Sequence, residues 1–307
     1  MNKPKKIAVL LAAYNGEEWI EEQIKSIQNQ KGVSVDLYIS LDLSIDKTYE
    51  ILKKLVNSCK NITLLPYGQK FGSAAPNFFS MLLRTPIENY DYISLSDQDD
   101  IWLEEKLKNA IDKLDKNNAS GYSSNVTAYW SNNKIKVIKK AYLQCEYDYL
   151  FESPGPGCSF VLKNELAISV KECLKSTIYL NGLNWHDWVI YAFARKNNFK
   201  WVIDDNSYIL YRQHENNQLG VNAGYKAFAK RIKDVFSGHG INQTVGIIKL
   251  LELESDPFVI KWYCDKKINF LRLALFSKKC RRRTKDRMLF FFACIIMSIL
   301  KLKINVY

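Results

Sequence analysis

Three carboxylates, Asp97, Asp99 and Asp100, crowd into the stretch Tyr92 to Trp102, which reads Tyr-Ile-Ser-Leu-Ser-Asp-Gln-Asp-Asp-Ile-Trp. Tyr92, Ile93 and Leu95 read as a short buried strand. The acids then fall in the turn before a helix expected to begin near Leu103. Carboxylates this close repel one another unless a cation shares them. A divalent ion such as Mg²⁺ or Mn²⁺ takes one or two carboxylates together with phosphate oxygens, so Asp-x-Asp at a strand end is a handle for a metal and a diphosphate. The same acids could instead cap the following helix, and the tripeptide alone leaves both readings open.

The elements that would carry these acids alternate from the start of the chain. Ile7 to Ala13 reads as a strand, and Asn15 with Glu18 resembles a capping box opening a helix through Trp19, Ile20, Ile24 and Ile27. Val35 to Leu41 is a second strand, followed by a helix from Asp46 or Thr48. Ile62 to Leu65 is a third strand, Asn77 to Leu83 a helix and Tyr92 to Leu95 the fourth strand. Strands joined by helical crossovers make a parallel sheet, and ligands bind outside its carboxyl ends. Tyr14-Asn15, Asp42 and Asp97-x-Asp99 are therefore expected to line one crevice. After residue 115 the pattern loosens. Asn125 to Trp130, Cys158 to Leu162, Lys200 to Ile203 and Tyr208 to Tyr211 read as strands, with helices over Asn164 to Cys173 and from Trp185-His186-Asp187-Trp188 onward. Residues 225 to 276 read as helical.

With 47% hydrophobic and 13% aromatic residues the chain is globular rather than disordered. Its 44 Lys and Arg against 32 Asp and Glu leave +12, which suits nucleic acid, an anionic membrane face or phosphorylated ligands. Seven scattered cysteines with no Cys-x-x-Cys pair point to neither a zinc site nor a disulfide framework, and a reducing cytosol is the simplest compartment. Near the end, Lys278, Lys279, Arg281, Arg282, Arg283, Lys285 and Arg287 are opposed locally only by Asp286, and the apolar Met288 to Leu300 follows. That segment is too short to span a bilayer and reads as an interfacial anchor on an anionic leaflet, against a helix packed on the domain or on a second subunit. Nucleic acid fits less well, because the basic residues sit beside aliphatic ones rather than among spaced aromatics.

Seven segments occur in an order that resembles the family-two nucleotide-sugar glycosyltransferases: Leu11 to Glu17, Asp42 to Thr48, Gly72 to Phe78, Ser96 to Trp102, Gly157-Cys158, Trp185 to Trp188 and Tyr211 to His214. The Ser-Asp-Gln-Asp-Asp-Ile-Trp form is most similar to a bacterial rhamnosyltransferase-like branch. The resemblance spans residues 5 to 220. It implies an α/β A-type glycosyltransferase fold, a Rossmann-like, mostly parallel sheet flanked by helices, with a helical C-terminal extension. The implied division is a transferase domain over 1–220, with a nucleotide-binding half to 115 and an acceptor half after it, and a C-terminal region over 221–307.

The resemblance also implies roles. Ala13, Tyr14, Asn15 and Glu17 would surround the donor pyrimidine and ribose, with Asp42 at the ring N–H and Gly72, Asn77 and Arg212 as further donor contacts. Asp97 would reach the ribose and metal region, Asp99 would hold Mg²⁺ or Mn²⁺, and His214 would be a late metal contact. Asp187 matches the catalytic base, with Gly157, Cys158, His186 and Trp188 on the acceptor side. An Asp at a helix start is held ionised by the helix dipole, which suits a base at neutral pH. The implied activity is transfer of L-rhamnose from dTDP-rhamnose to a lipid-linked or growing surface saccharide, by a cytoplasmic enzyme peripheral to the inner face of the membrane; a homo-oligomer is compatible with this.

There are departures. The second-strand loop usually reads Asp-Asp-Gly-Ser-x-Asp, and here Leu41 and Leu43 replace its first Asp and its Gly. Ala74 and Ala75 stand where a basic or longer polar residue is common. The alternatives are a UDP-sugar hexosyl or galactofuranosyl transferase and a non-catalytic nucleotide-sugar binder. Loss of Asp99 or Asp187 would favour the latter, and both are present.

Overall fold

The four apolar runs before residue 100 are strands in the structure, a computed structural model that describes residues 3–132, 134–177, 183–214, 238–264 and 267–300. β1 (Lys5–Ala13) lies between β2 (Val33–Leu41) and β4 (Tyr92–Asp97), with β3 (Ile62–Leu64) outside β2, all parallel. The crossovers are α1 (Ile20–Gln28), α2 (Thr48–Ser58) and α3 (Ala74–Arg84). In this register Ala13 stands beside Leu41, and Ala12 beside Asp97. The strand ends that carry the candidate residues therefore share one edge.

Beyond β4 the sheet becomes mixed. β4 pairs antiparallel with β8 (Val161–Lys163), and β8 antiparallel with β6 (Gly121–Trp130). β6 runs parallel to β9 (Trp201–Gln213), and β9 pairs antiparallel with β5 (Ile101–Trp102). β7 (Ile135–Ile138) folds back onto β6. Alternation along β1 builds the core. Ile7, Val9 and Leu11 join Ile20, Ile24 and Ile27 of α1 and Leu107, Ile111 and Leu114 of α4 (Lys106–Lys116) in one cluster. α3 packs on β1, and its Phe78, Met81 and Leu82 are fully buried, as are Ala8 and Leu10.

Several expectations are corrected. Asn15 and Glu18 form no capping box: α1 begins at Ile20 with no side-chain cap, because Asn15 takes a left-handed turn (φ 45°) and its Oδ1 accepts from Ile45 N–H instead. The helix after the acidic stretch starts at Lys106, since Ile101 and Trp102 first pair as β5. Trp201–Gln213 is one strand with an irregular middle where two were expected, and Cys158 lies in a single 3₁₀ turn, Gly157–Ser159, ahead of β8 rather than in the strand.

The chain divides into two units. The first comprises Met1–Ala141, Pro154–Ser176 and Asn184–Gly220, and the second Tyr142–Ser153, Thr177–Leu183 and Val221–Tyr307. The sheet belongs to the first, with α5 (Asn164–Ser176) and α6 (His186–Lys196). The second holds α7 (His239–Leu250), α8 (Phe270–Leu275), α9 (Ser277–Cys280) and α10 (Thr284–Ile299). The helical reading of 225–276 holds for α7 and α8 but not for Tyr263–Cys264 and Lys267–Ile268, which pair as a short antiparallel ladder; residues 225–237 and 265–266 lie outside the described set. In this unit Tyr147 stacks on Phe258 at 3.7 Å, and Phe151 packs on Trp262 and Phe290. The basic run is only partly a solvated face. Arg282 is buried and lies 3.6 Å from Asp148 and 3.4 Å from Glu152, acids some 130 residues earlier that no local reading pairs with it.

Gly121 tests the packing of the first unit. A Cβ there would sit 2.1 Å from the ring of Trp201, its partner across β6 and β9. Trp201 is in turn held edge-on by Phe160 and Tyr191. Gly121→Ala is expected to lower stability in urea unfolding by about 1–3 kcal/mol. Gly240→Ala, where a Cβ meets nothing within 4 Å, should be neutral or mildly stabilising.

Candidate active site

Strand pairing assembles the acidic site. β4 ends on Asp97, and the chain turns through Gln98, Asp99 and Asp100 into β5. Ile101 faces Leu210 and Trp102 faces Ile209, so continuing that antiparallel register sets Asp99 against Arg212. The contact is made: Arg212 Nε donates to the Asp99 carbonyl at 2.9 Å, while its terminal nitrogen pairs with Glu22. Two residues on, His214 Nε2 lies 2.9 Å from Asp99 Oδ2, and Trp19 stacks on the imidazole at 4.0 Å. One hard oxygen donor and one imidazole nitrogen are thereby fixed side by side.

Behind them the charge is crowded. Burial, then the neighbouring Asp99 and Asp187 carboxylates, push the Asp97 carboxyl up to about 7. Asp187 stands in the first turn of α6, and its Oδ1 accepts the Trp188 N–H at 2.8 Å. Asp100 is 1% exposed, and neither carboxylate oxygen has a hydrogen bond of ordinary geometry. Burial, Asp99 and Asp97 raise it well above the usual carboxylate range. Among the described residues, an Asp97 oxygen, an Asp100 oxygen and Cys158 Sγ all lie within 4.8 Å of one another.

The donor-side residues are tied into one edge. Gln98 clamps Tyr14 by both ends of its amide: Tyr14 N–H donates to Oε1, and Nε2 donates to the Tyr14 carbonyl, each at 2.7 Å. Gly16 is required beside this clamp, because a Cβ would fall 2.3 Å from Gln98 Oε1. Asn15 and Glu17 accept the Ile45 and Lys47 N–H groups, and Gly16 N–H donates to Thr48 Oγ1, so the loops after β1 and β2 lock together. Ala13 is buried at the end of β1. Asp42 accepts from Leu43, Phe71 and Gly72 N–H groups at 2.7–2.8 Å, which holds the turn at Gly72 (φ 77°) against it. Asn77 is buried and donates to the Ser40 carbonyl. It supports this edge from inside.

On the acceptor side, Gly157, Cys158, His186 and Trp188 are all buried. His186 stacks on Phe78 at 4.0 Å and lies against Gly157, where a Cβ would be 2.3 Å from its Nε2. Burial pushes the imidazole down to about 3, so it is neutral at physiological pH. Trp188 stacks on Trp185. These residues set the position of the α6 start and therefore of Asp187.

Three residues that sequence reasoning passed over back the site. Lys106 is 1% exposed, donates to Ser94 Oγ at 3.1 Å and sits over the Trp102 ring; burial lowers it to about 7. Gln23, with its amide turned to satisfy both ends, donates to the Asp100 carbonyl and accepts from Ser96 Oγ and the Trp102 indole N–H. Glu22 braces Arg212. Position alone marks none of them, since each is an ordinary helix residue by spacing. Burial and mutual repulsion make Asp97 and Asp100 hold their protons more tightly than ordinary carboxyls; a divalent cation would displace those protons, and with Asp99 and His214 the donor set fits Mg²⁺ or Mn²⁺.

An acid whose folded pKa is raised from 3.8 to about 7 binds its proton more tightly folded than unfolded, so its effect is to lower stability as pH rises through that window. In EDTA, thermal melts of wild type are expected to fall across that range by more than those of Asp97→Asn, and Mn²⁺ should restore the wild type above pH 7. Gln98→Ala is expected to raise donor KM about tenfold with a smaller change in kcat, since it frees the Tyr14 loop without removing an acid.

A family profile described as glycosyl transferase family 2 matches residues 8–173. The dTDP-rhamnosyl transferase RfbG of Shigella flexneri is 43% identical over 279 residues, 90% of this chain and 96% of that protein. TarS 1-349 of S. aureus superposes with a TM-score of 0.56 at 15% identity, covering 98% of this chain and 95% of that one. The chain spans 52% of the longer TarS structure. The mannosyltransferase PcManGT of Pyrobaculum calidifontis, in complex with GDP-Man and Mn²⁺, superposes with a TM-score of 0.55 at 12% identity over 98% and 89% of the two chains. From the profile and the RfbG relative, together with a curled mixed sheet flanked by helices, the chain belongs to glycosyl transferase family 2, with a GT-A fold and a helical C-terminal region.

Proposed function

We propose that this glycosyltransferase moves L-rhamnose from dTDP-rhamnose, with inversion and with a divalent metal, onto a lipid-linked or growing bacterial surface polysaccharide such as a capsule. The observation that carries this reading is the convergence of Asp97, Asp99, Asp187 and His214 at one strand edge, in a chain 43% identical to a dTDP-rhamnosyl transferase. Mg²⁺ or Mn²⁺ would be held by Asp99 and His214 with Asp97 close by, and would supply positive charge against the departing diphosphate. Asp187 stands in the first turn of α6. It takes the proton of an acceptor hydroxyl as that oxygen bonds to the anomeric carbon. The bond from the anomeric carbon to the diphosphate breaks on the opposite face, and dTDP leaves.

The donor is held by the locked loops after β1 and β2. His186 and Gly157 fix the height of α6 against the sheet and so aim the base. The acceptor reading goes with a peripheral placement on the inner face of the membrane, supported by the basic run ahead of α10 and the apolar residues that follow.

Calorimetric titration of dTDP-, UDP-, GDP- and CDP-sugars, each with Mn²⁺ and with EDTA, tests the donor and the metal. Metal-dependent binding of dTDP-rhamnose, lost in Asp99→Ala, is the expected outcome. Asp187→Asn should keep donor binding within a few-fold and lower kcat by about 10²–10⁴. If no nucleotide sugar binds under any metal condition, the reading fails.

A further inference from the structure

α10 is apolar on its exposed side as well as on its buried one. Cys294 and Met297 turn inward and are buried, whereas Met288, Leu289, Phe292, Ile296 and Ile299 are exposed, Phe292 by 55% and Ile299 by 72%. At 100° per residue these five fall on one stripe about 100° wide. α8, packed against α10, exposes Leu271 and Leu275 on its own outer side, the latter by 76%. A contiguous apolar surface of this kind marks a contact. Two features select its occupant. The first is charge: Lys278, Arg283 and Lys285 are exposed where α10 begins, and Lys285 falls inside the apolar stripe. The second is length. Sixteen helical residues rise about 24 Å, short of the hydrocarbon core, and among the described residues no helix is long and apolar enough to cross a membrane.

We infer that the outer face of α8 and α10 lies in the plane of an anionic phospholipid leaflet. Phe292, Ile296 and Ile299 enter the acyl boundary, and Lys278, Arg283 and Lys285 meet the headgroups. This deepens the peripheral reading above and is independent of the transfer chemistry. It also corrects which basic residues serve: Arg282 is spent inside the unit on Asp148 and Glu152, and Lys279 pairs with Glu146 at 2.7 Å.

The test is co-sedimentation of the full chain with vesicles of phosphatidylcholine alone and of phosphatidylcholine with phosphatidylglycerol. Binding to the anionic vesicles, weakened by salt, is expected. Phe292→Ser with Ile296→Ser should weaken it about tenfold or more. Lys278→Ala, Arg283→Ala and Lys285→Ala should each weaken it about fivefold. All five positions are exposed, so thermal melts should be unchanged, and donor turnover with a soluble acceptor should survive in every variant. No binding to anionic vesicles overturns the inference and leaves the transferase reading standing. So does a lipid-free dimer by light scattering that Phe292→Ser with Ile296→Ser dissociates without altering vesicle binding, since the face is then a contact between two copies.

Discussion

Asp97, Asp99, Asp100 and Asp187 share a small, partly dry volume at the carboxyl end of β4, and their mutual repulsion is the constraint to which the rest of the first unit answers. Left to itself, such a cluster would splay apart or stay protonated. Neutral or weakly charged groups brace it from behind. Lys106, whose charge burial has weakened, sits under the acidic turn with Ser94, and Gln23 and Ser96 bind the turn's main chain and the Trp102 indole. A fully charged lysine there would neutralise the cluster permanently. A weakened one leaves more of the acids' charge unanswered.

The same economy appears in the aromatic and glycine contacts around the site. Trp19 stacks on His214 and Phe78 on His186, and these ring contacts fix the planes of two imidazoles. Gly16 and Gly157 are the positions where a side chain would collide with the groups that hold the geometry, Gln98 and His186. In both places the sequence supplies absence of bulk rather than a contact.

Much of this was legible before the structure. The first four strands follow from apolar runs punctuated by turn residues, and the acidic turn from three Asp beside a strand. What was not legible depends on distant partners. Asn15 looks like a helix cap because its local neighbours fit one, but the Ile45 N–H competes for its side chain and wins. β5 is two residues long and exists only because β9 lies beside it. Two strands, ending at Ile203 and starting again at Tyr208, were expected where β9 runs. In fact Asp204 is buried and answered by Lys113 at 3.0 Å and by the Tyr122 hydroxyl at 3.2 Å, so the strand runs on through an irregular register. Arg282 was legible as a charge and illegible as a core residue for the same reason.

The Gln98 clamp holds the β1 loop through the main chain of Tyr14 alone, and the Tyr14 ring, 55% exposed, contributes nothing to it. The β1 loop is thus hitched to the acidic turn by atoms that every residue except proline possesses. Position 14 can therefore be exchanged without loosening the acidic turn, so an exposed, replaceable side chain rides on a fixed main-chain clamp. Descendants of such a sequence can vary the side chain at position 14 by single steps without disturbing the turn that carries the acids.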